Sequence, residues 1–550
     1  MKNTAEISFL LGSAILVHSL IIAPSVSIAA DYPKYEKAFK QSRKLLSKLR
    51  QDPKAEIPAF ASGKEGQELF IELEECITLA LLNNLSIRLS LFPGKKLEQE
   101  IRTARSVFDP RFQARIDFQD STSQATSALQ GADVNEEKQI GTELGITKKT
   151  QDGTEYALSW TGGRRKTNSS FFLLNPVYSN EVSLEARHSL SKMRGEDLNL
   201  ANLRALKHQR AAARCQVHAT INTVMYEVIS AFLKVRQKEE EIAIQEQSLE
   251  QVKELVEITQ KRMAVGRAVE AQLIKDKAQL AEQREHLIIT RVEREQACDE
   301  LLQLISPKPS SRPDPERLNL LFESPKTPEI SLDFSGLSRS ARLKRPEVLS
   351  ILANMRAQDL ALKIARDDVQ ASFDLVSSVT LQGFEGSFPE SQEKVASLDY
   401  PVYSIGIQYS FPIGMRSSKS QLRKEELARK EMEVELLELE SRIELQVRQS
   451  LRSLRSSLER MKAARKTVDF AKRSYTNEKL LYKQGRTTPY QVNEYRISYD
   501  EARLRLSQAR RDYLLALASI RSAEGTLPDV FAKFGTLDAR SLVRGMEEDD

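Results

Sequence analysis

The sequence predicts a mainly α-helical protein that also carries membrane-patterned β-strands, laid out as two internal copies of one plan. Three observations point there. Apolar residues step by 3 and 4 along two very long stretches, as in coiled-coil helices. Shorter stretches alternate apolar and polar residues strictly, as in strands with two unlike faces. The order helix, strand, loop, strand, long helix, break, helix then occurs twice.

Composition agrees with the helical part. Of 550 residues, 29% are charged and only 21 are Gly and 19 Pro. With 82 Lys and Arg against 77 Asp and Glu, the net charge of +5 is too small to argue for nucleic acid. The three cysteines, Cys76, Cys215 and Cys298, are widely spaced and odd in number, so they read as ordinary buried residues and not as a disulfide framework or zinc site.

The N-terminus, MKNTAEISFLLGSAILVHSLIIAPSVSIAA, reads as a signal peptide over 1–29, with Ser27-Ile28-Ala29 as the cleavage signal. The competing reading is a retained membrane anchor, for which the apolar run is short. Residues 30–70 form a Lys-rich extension. The first repeat spans 71–305. It opens with the helical pattern LEECITLALLNN, which pauses and resumes to about Val107. Strands are expected near 111–119 and 178–190, with an extra hairpin at 138–163 around Asp152-Gly153, a strong turn signal. That hairpin either is extracellular or adds strands to a sheet. A long helix over 194–265 follows, with a seam at Ile242, Gln245, Leu249, Val252, Val256, Thr259 and Met263. It ends at Gly266, and a second helix runs to about Ile305.

SPKPSSRPDPE opens a Pro-rich linker over 306–333. The second repeat, 334–525, restates the plan. Strands are expected near 373–382 and 402–412, then a long helix over 416–484 with Val447, Leu451, Leu454, Leu458 and Met461 on its seam, and a break at Gly485. The stretch PVYS occurs at 176–179 and again at 401–404. In the second occurrence Tyr403, Ile405, Ile407, Tyr409 and Phe411 fall on one side, with Ser, Gly and Gln on the other. Such a strand suits a sheet with oil on one face and water on the other. Residues 526–550, ending EEDD, read as a solvated tail.

Over 71–525 the order of these parts resembles the TolC-like outer-membrane efflux protein family. The resemblance is carried by LEECITLALLNN, the four strand segments, and the paired breaks KRMAVGRAVEAQ and KLLYKQGRTTPYQ. It implies a homotrimer in which each chain gives two strand pairs to one shared transmembrane β-barrel, while the long helices form a hollow α-helical barrel across the periplasm. The protein would then be the exit duct of a tripartite efflux pump or type I secretion system, partnered by a periplasmic adaptor protein and an inner-membrane transporter. Tyr403, Ile405, Ile407, Tyr409 and Phe411 would face outer-membrane lipid.

The resemblance also places a pore constriction at the second break, with Tyr482, Arg486, Gln491 and Glu494. Glu494 would form a threefold carboxylate ring, or else be an ordinary surface glutamate. Val265, Gly266, Arg267, Gly485 and Arg486 would dock the adaptor. The plainer reading of both arginines is compensation of helix dipoles. Phe411-Pro412 would make the bend from barrel to tunnel in the second repeat, and Leu190-Ser191 in the first, there without proline.

No nucleophile elbow, phosphate loop or close histidine spacing occurs. No catalytic residue, metal ligand or cofactor is therefore expected. The alternative to a duct is a periplasmic adaptor or structural coiled coil without a barrel, which four membrane-patterned strands argue against.

Overall fold

A computed structural model describes residues 69–124, 134–266, 268–306, 313–321 and 333–532. The expected leader, nearly all of the 30–70 extension, Arg267, most of the 306–333 linker and the tail beyond 532 lie outside the described residues.

Strand β1 (Leu69–Glu72) runs directly into α1 (Leu73–Asn83) and α2 (Leu85–Arg105). The pause between these helices is a cap. Asn84 Oδ1 accepts from Ser86 N and Ile87 N, satisfying amides at the start of α2 that have no partner within the helix. Its Nδ2 donates to Leu304 O, and Asn83 Nδ2 donates to Ile305 O. The Asn-Asn pair thus also closes the C-terminal end of a later helix.

Four strands follow: β2 (Arg111–Gln124), β3 (Val134–Lys149), β4 (Glu155–Thr167) and β5 (Val177–Ser189). Next come α3 (Ala201–Ala264) and α4 (Glu270–Ile305). The short β6 (Leu318–Leu321) pairs in parallel with β1, so part of the expected linker is a strand. Then come α5 (Phe334–Lys344), α6 (Pro346–Asp368), β7 (Ser372–Glu385), α7 (Phe388–Ala396), β8 (Pro401–Ser410), α8 (Arg416–Lys483) and α9 (Pro489–Glu524).

Helices α3 and α8 have 64 and 68 residues. At about 1.5 Å per residue each is roughly 100 Å long. Helix α3 starts later than expected because the chain first makes two residues at positive φ, Met193 and Gly195, and a separate turn at Glu196–Asn199. The bend before α8 uses Gly414 and Met415 at positive φ, so proline is not its only device.

The α8 seam is as expected, with Val447, Leu451 and Leu454 buried beside Ile443 and packed against Tyr513, Ala516 and Ile520 of α9. The α3 seam needs correction. Val252, Val256 and Thr259 are buried, but further up the helix the buried line is Glu241, Ile244 and Ser248. Ile242, Gln245 and Leu249 are half-buried and Met263 is exposed. A straight helix drifts relative to a strict seven-residue repeat, and α3 packs against both α4 and α9. All three cysteines are free and buried, and burial pushes the Cys76 thiol up to about 12.

The strands form one six-stranded antiparallel sheet in the order β2-β3-β4-β5-β7-β8. The resemblance implied four strands per chain, and of the two readings left open for the hairpin the sheet takes the one that adds strands. The extra hairpin adds two full strands, inserted between β2 and β5. Its turn is not at the far end of the sheet but at the helix end, where Gly195 N donates to Asp152 O at 3.1 Å. Thr154 Oγ1 also lies 2.9 Å from His188 Nδ1. Phe411 falls one residue past the end of β8.

Candidate functional site

Strand register decides which side chains share a face of the sheet. Tyr403 lies opposite Val379, Val379 opposite Leu184, Leu184 opposite Leu158, Leu158 opposite Ile146, and Ile146 opposite Phe112. One row of six large apolar side chains therefore crosses all six strands, and every member is exposed. Ile405, Ile407 and Tyr409 lie on this same face at successive alternate positions of β8. Tyr409 packs on Phe373 of β7 with ring centroids 4.7 Å apart.

The next row, on the opposite face, reads Ser404, Ser378, Glu185, Ala157, Thr147, Arg111. That face also carries the Arg187–Asp374 pair linking β5 to β7, with Ser189 Oγ donating to Asp374 at 3.0 Å. One face is thus apolar from edge to edge, and the other carries charges and small residues.

Far from the helices, α7 covers the apolar face. Asn180 Nδ2 donates to Ser391 Oγ, and the Phe388 ring meets Trp160 edge-on at 6.5 Å. Gly383 permits the approach, since a Cβ there would lie 2.0 Å from Ser391 O.

At the other end of the molecule the two helix breaks come together. Gly266 and Gly485 both turn at positive φ, at +73° and +75°. The Arg262 guanidinium of α3 lies over the Tyr482 ring of α8 at 4.4 Å, and Lys275 Nζ of α4 over the Tyr490 ring of α9 at 4.1 Å. Tyr482 is buried, and burial pushes its phenol pKa up. Its hydroxyl has no hydrogen-bond partner among the described residues. Asp276, also buried, accepts from Thr259 Oγ1 at 2.6 Å and Gln272 Nε2 at 2.8 Å.

Arg486, Gln491, Glu494 and Val265 are all exposed at this tip. Thr487 Oγ1 donates to Gln491 Oε1 at 2.8 Å. Arg486 and Glu494 make no ion pair with each other, so the sequence-predicted residues share a region without forming one contact network within the chain.

Sequence reasoning missed a buried charge pair here. Arg496 and Asp500 of α9 pair at 2.9 Å, and Arg496 also donates to Asn493 Oδ1 and Ser248 Oγ, the latter on α3. Burial pushes Asp500 up and Arg496 down. The signal was available, since Asn493, Arg496 and Asp500 step by 3 and 4 in line with the apolar seam of α9. Among the described residues no group of His, Cys, Asp and Glu is arranged to hold a metal ion, and no single helix is long and apolar enough to cross a membrane.

Comparison with known proteins follows the same lines. Residues 337–526 match the family model described as "Outer membrane efflux protein". The fold is similar to that of CmeC, an outer membrane channel of Campylobacter jejuni, at a TM-score of 0.61 and 15% identity over 86% of this chain and 89% of that one. It is similar to VceC, an outer membrane protein of Vibrio cholerae, at 0.57 and 15% over 83% and 96%. It is also similar to MtrE, an outer membrane channel of Neisseria gonorrhoeae, at 0.57 and 17% over 83% and 89%. No curated protein sequence matches. The resemblance read from the sequence is borne out by the family model and by the fold.

Proposed function

We propose that this chain, which matches the outer membrane efflux protein model over 337–526 and is similar in fold to outer-membrane channels, is the exit duct of an efflux pump or type I secretion system. One observation carries the reading. A six-stranded sheet with a broad apolar face, covered only at its far end by α7, and a charged opposite face sits on helices of about 100 Å. In water so large an apolar patch is a liability, whereas in a bilayer it is the outer wall of a barrel. Tyr403, Ile405, Ile407 and Tyr409 then contact lipid, and the Ser404 and Arg111 side lines the lumen.

Three copies complete the wall, and each contributes two structural repeats. Exposed apolar side chains along α8, at Leu427, Val434, Leu437 and Leu445, supply a seam for the neighbouring copy in the periplasmic tunnel. The paired breaks form the tunnel's entrance. Val265, Gly266, Gly485 and Arg486, with Arg267 between them in sequence, present the turn to an adaptor, while Glu494 and Gln491 ring the opening. Tyr482 serves as a packing contact beneath Arg262 instead of lining the pore. Energy for transport comes from the inner-membrane partner, since the chain itself supplies only a passage.

Electron microscopy of the detergent-extracted protein tests this directly. The expected particle is a threefold hollow cylinder more than ~100 Å long. Solid rods or monomers without a barrel would refute the duct and favour an adaptor or structural coiled coil.

A further inference from the structure

We infer that the membrane wall of this duct is an eighteen-stranded barrel, widened from twelve strands by the hairpin at 134–167. The inference rests on the trimeric duct proposed above. Six strands per chain, closed by three copies, make eighteen. The four strands anticipated from the resemblance would make twelve.

Three features of the sheet support closure in this form. The first is direction. Consecutive strands alternate through all five pairings, so β2 and β8 run opposite ways. The free edge of β8 therefore meets β2 of the neighbouring copy in antiparallel sense, and the alternation continues round the ring. An inserted strand count that was odd would have broken it. The second is chemistry. Both edges carry the same apolar face, with Phe112, Ile116 and Phe118 at one edge and Tyr403, Ile405 and Ile407 at the other, all strongly exposed. A row of unpaired backbone groups beside such side chains is not tolerated in lipid, and a second copy of this chain supplies both the hydrogen bonds and the matching phase of side chains.

The third is slant. Relative to the row joining Phe112 to Tyr403, the helix-end termini descend as a staircase. Arg111 lies one residue below the row, Lys149 and Glu155 three, Ser189 five, and Ser372 and Ser410 seven. If those termini sit at one membrane level, six residues of offset accrue over five strand spacings. At about 3.4 Å per residue and about 4.8 Å per strand, the strands tilt by about 40°. Closed barrels require about 35–45°. The inserted strands β3 and β4 follow the same staircase, so they belong to the wall and are not a flap laid over it.

A barrel's diameter grows roughly linearly with strand number, so this wall is about half as wide again as a twelve-stranded one. Porins of 16–18 strands hold open aqueous channels. The hairpin also brings Gly141, Gly145 and Gly163 to the charged face, keeping that part of the lumen free of bulk. The cargo class it suits is large and hydrated.

High-resolution electron microscopy of the trimer in lipid nanodiscs tests the count. Eighteen strands around a threefold axis is the expected result. A threefold particle with twelve strands, and residues 134–167 outside the wall, overturns the inference while leaving the duct intact. A particle with no barrel overturns both. Disulfide cross-linking gives an independent readout. Gln113→Cys with Gly145→Cys should link within one copy, because these residues face each other across β2 and β3. Continuing the staircase with matched faces sets Gln408 opposite Gln113 or Arg115 of the neighbouring copy. Gln408→Cys should therefore form covalent trimers with one of Gln113→Cys or Arg115→Cys, and none with Ala114→Cys. Links between copies without the link inside one copy would exclude the hairpin from the wall.

Discussion

Replacing Asp500 with alanine should be among the most damaging single changes in the periplasmic helices. Arg496 and Asp500 are only 4% and 9% exposed, so solvent screens their interaction little. Their 2.9 Å contact ties adjacent turns of α9, and the same guanidinium reaches Ser248 on α3. Burial opposes the charged form of each partner, as the upward push on Asp500 and the downward push on Arg496 show. The charges persist there because each compensates the other. Asp500→Ala strands the arginine in that site, at a cost of about 3–5 kcal/mol per copy. Replacing both, as Arg496→Met with Asp500→Leu, removes the charges together and should recover much of the loss. The recovery is incomplete because Asn493 and Ser248 lose a donor, at about 1–3 kcal/mol for a buried polar group left unpaired. Thermal melting of the helical circular dichroism signal, in detergent at one protein concentration, should rank wild type above the double variant and the double above Asp500→Ala. A single variant melting with the wild type would refute the argument that this pair is buried and coupled.

Other perturbations separate the parts of the molecule. Ile407→Lys and Gln408→Lys are neighbours on opposite faces of β8; the first should cost about 2–4 kcal/mol near the bilayer centre and deplete the membrane fraction, the second should behave as wild type. Equal tolerance of both would remove the face assignment. Glu494→Ala should reduce cation selectivity and divalent block in planar-bilayer recordings, and unchanged selectivity would leave Glu494 a surface residue. Burial raises the Glu524 carboxyl pKa, but hydrogen bonds from Ser340 and Thr526 with nearby Lys344 and Arg521 outweigh it and hold the value below the usual glutamate range. The unfolded chain therefore binds more protons in that window, so this stabilisation is complete above about pH 4.5 and is lost as pH falls through the depressed value. Glu524→Gln should flatten that part of the acid-denaturation profile, and an unaltered profile would show that the residue does not contribute.

Local patterns carried much of the architecture. The alternation of 401–410, the Asp152-Gly153 turn, the glycine breaks at 266 and 485 and the α8 seam are all short-range features, because backbone geometry imposes periods of 2 and 3.6 on any chain that buries one face. The pairing of breaks at one end also followed from the repeated order of elements. The seam of α3 was legible only in part, since a helix packed on two neighbours buries more than one stripe.

What the tertiary structure alone decided was which strands are neighbours and what packs over the buried charges. Nothing in the hairpin's sequence states that β3 and β4 enter the sheet between β2 and β5, because register is a property of two segments and not of one. The parallel pairing of β1 with β6 was equally hidden, since four-residue strands are too short to show a period. The spacing of Asn493, Arg496 and Asp500 marks a stripe on α9, but only the fold brings Ser248 of α3 onto the Arg496 guanidinium. Sequence sets which face of each element is apolar, and only packing sets what that face meets.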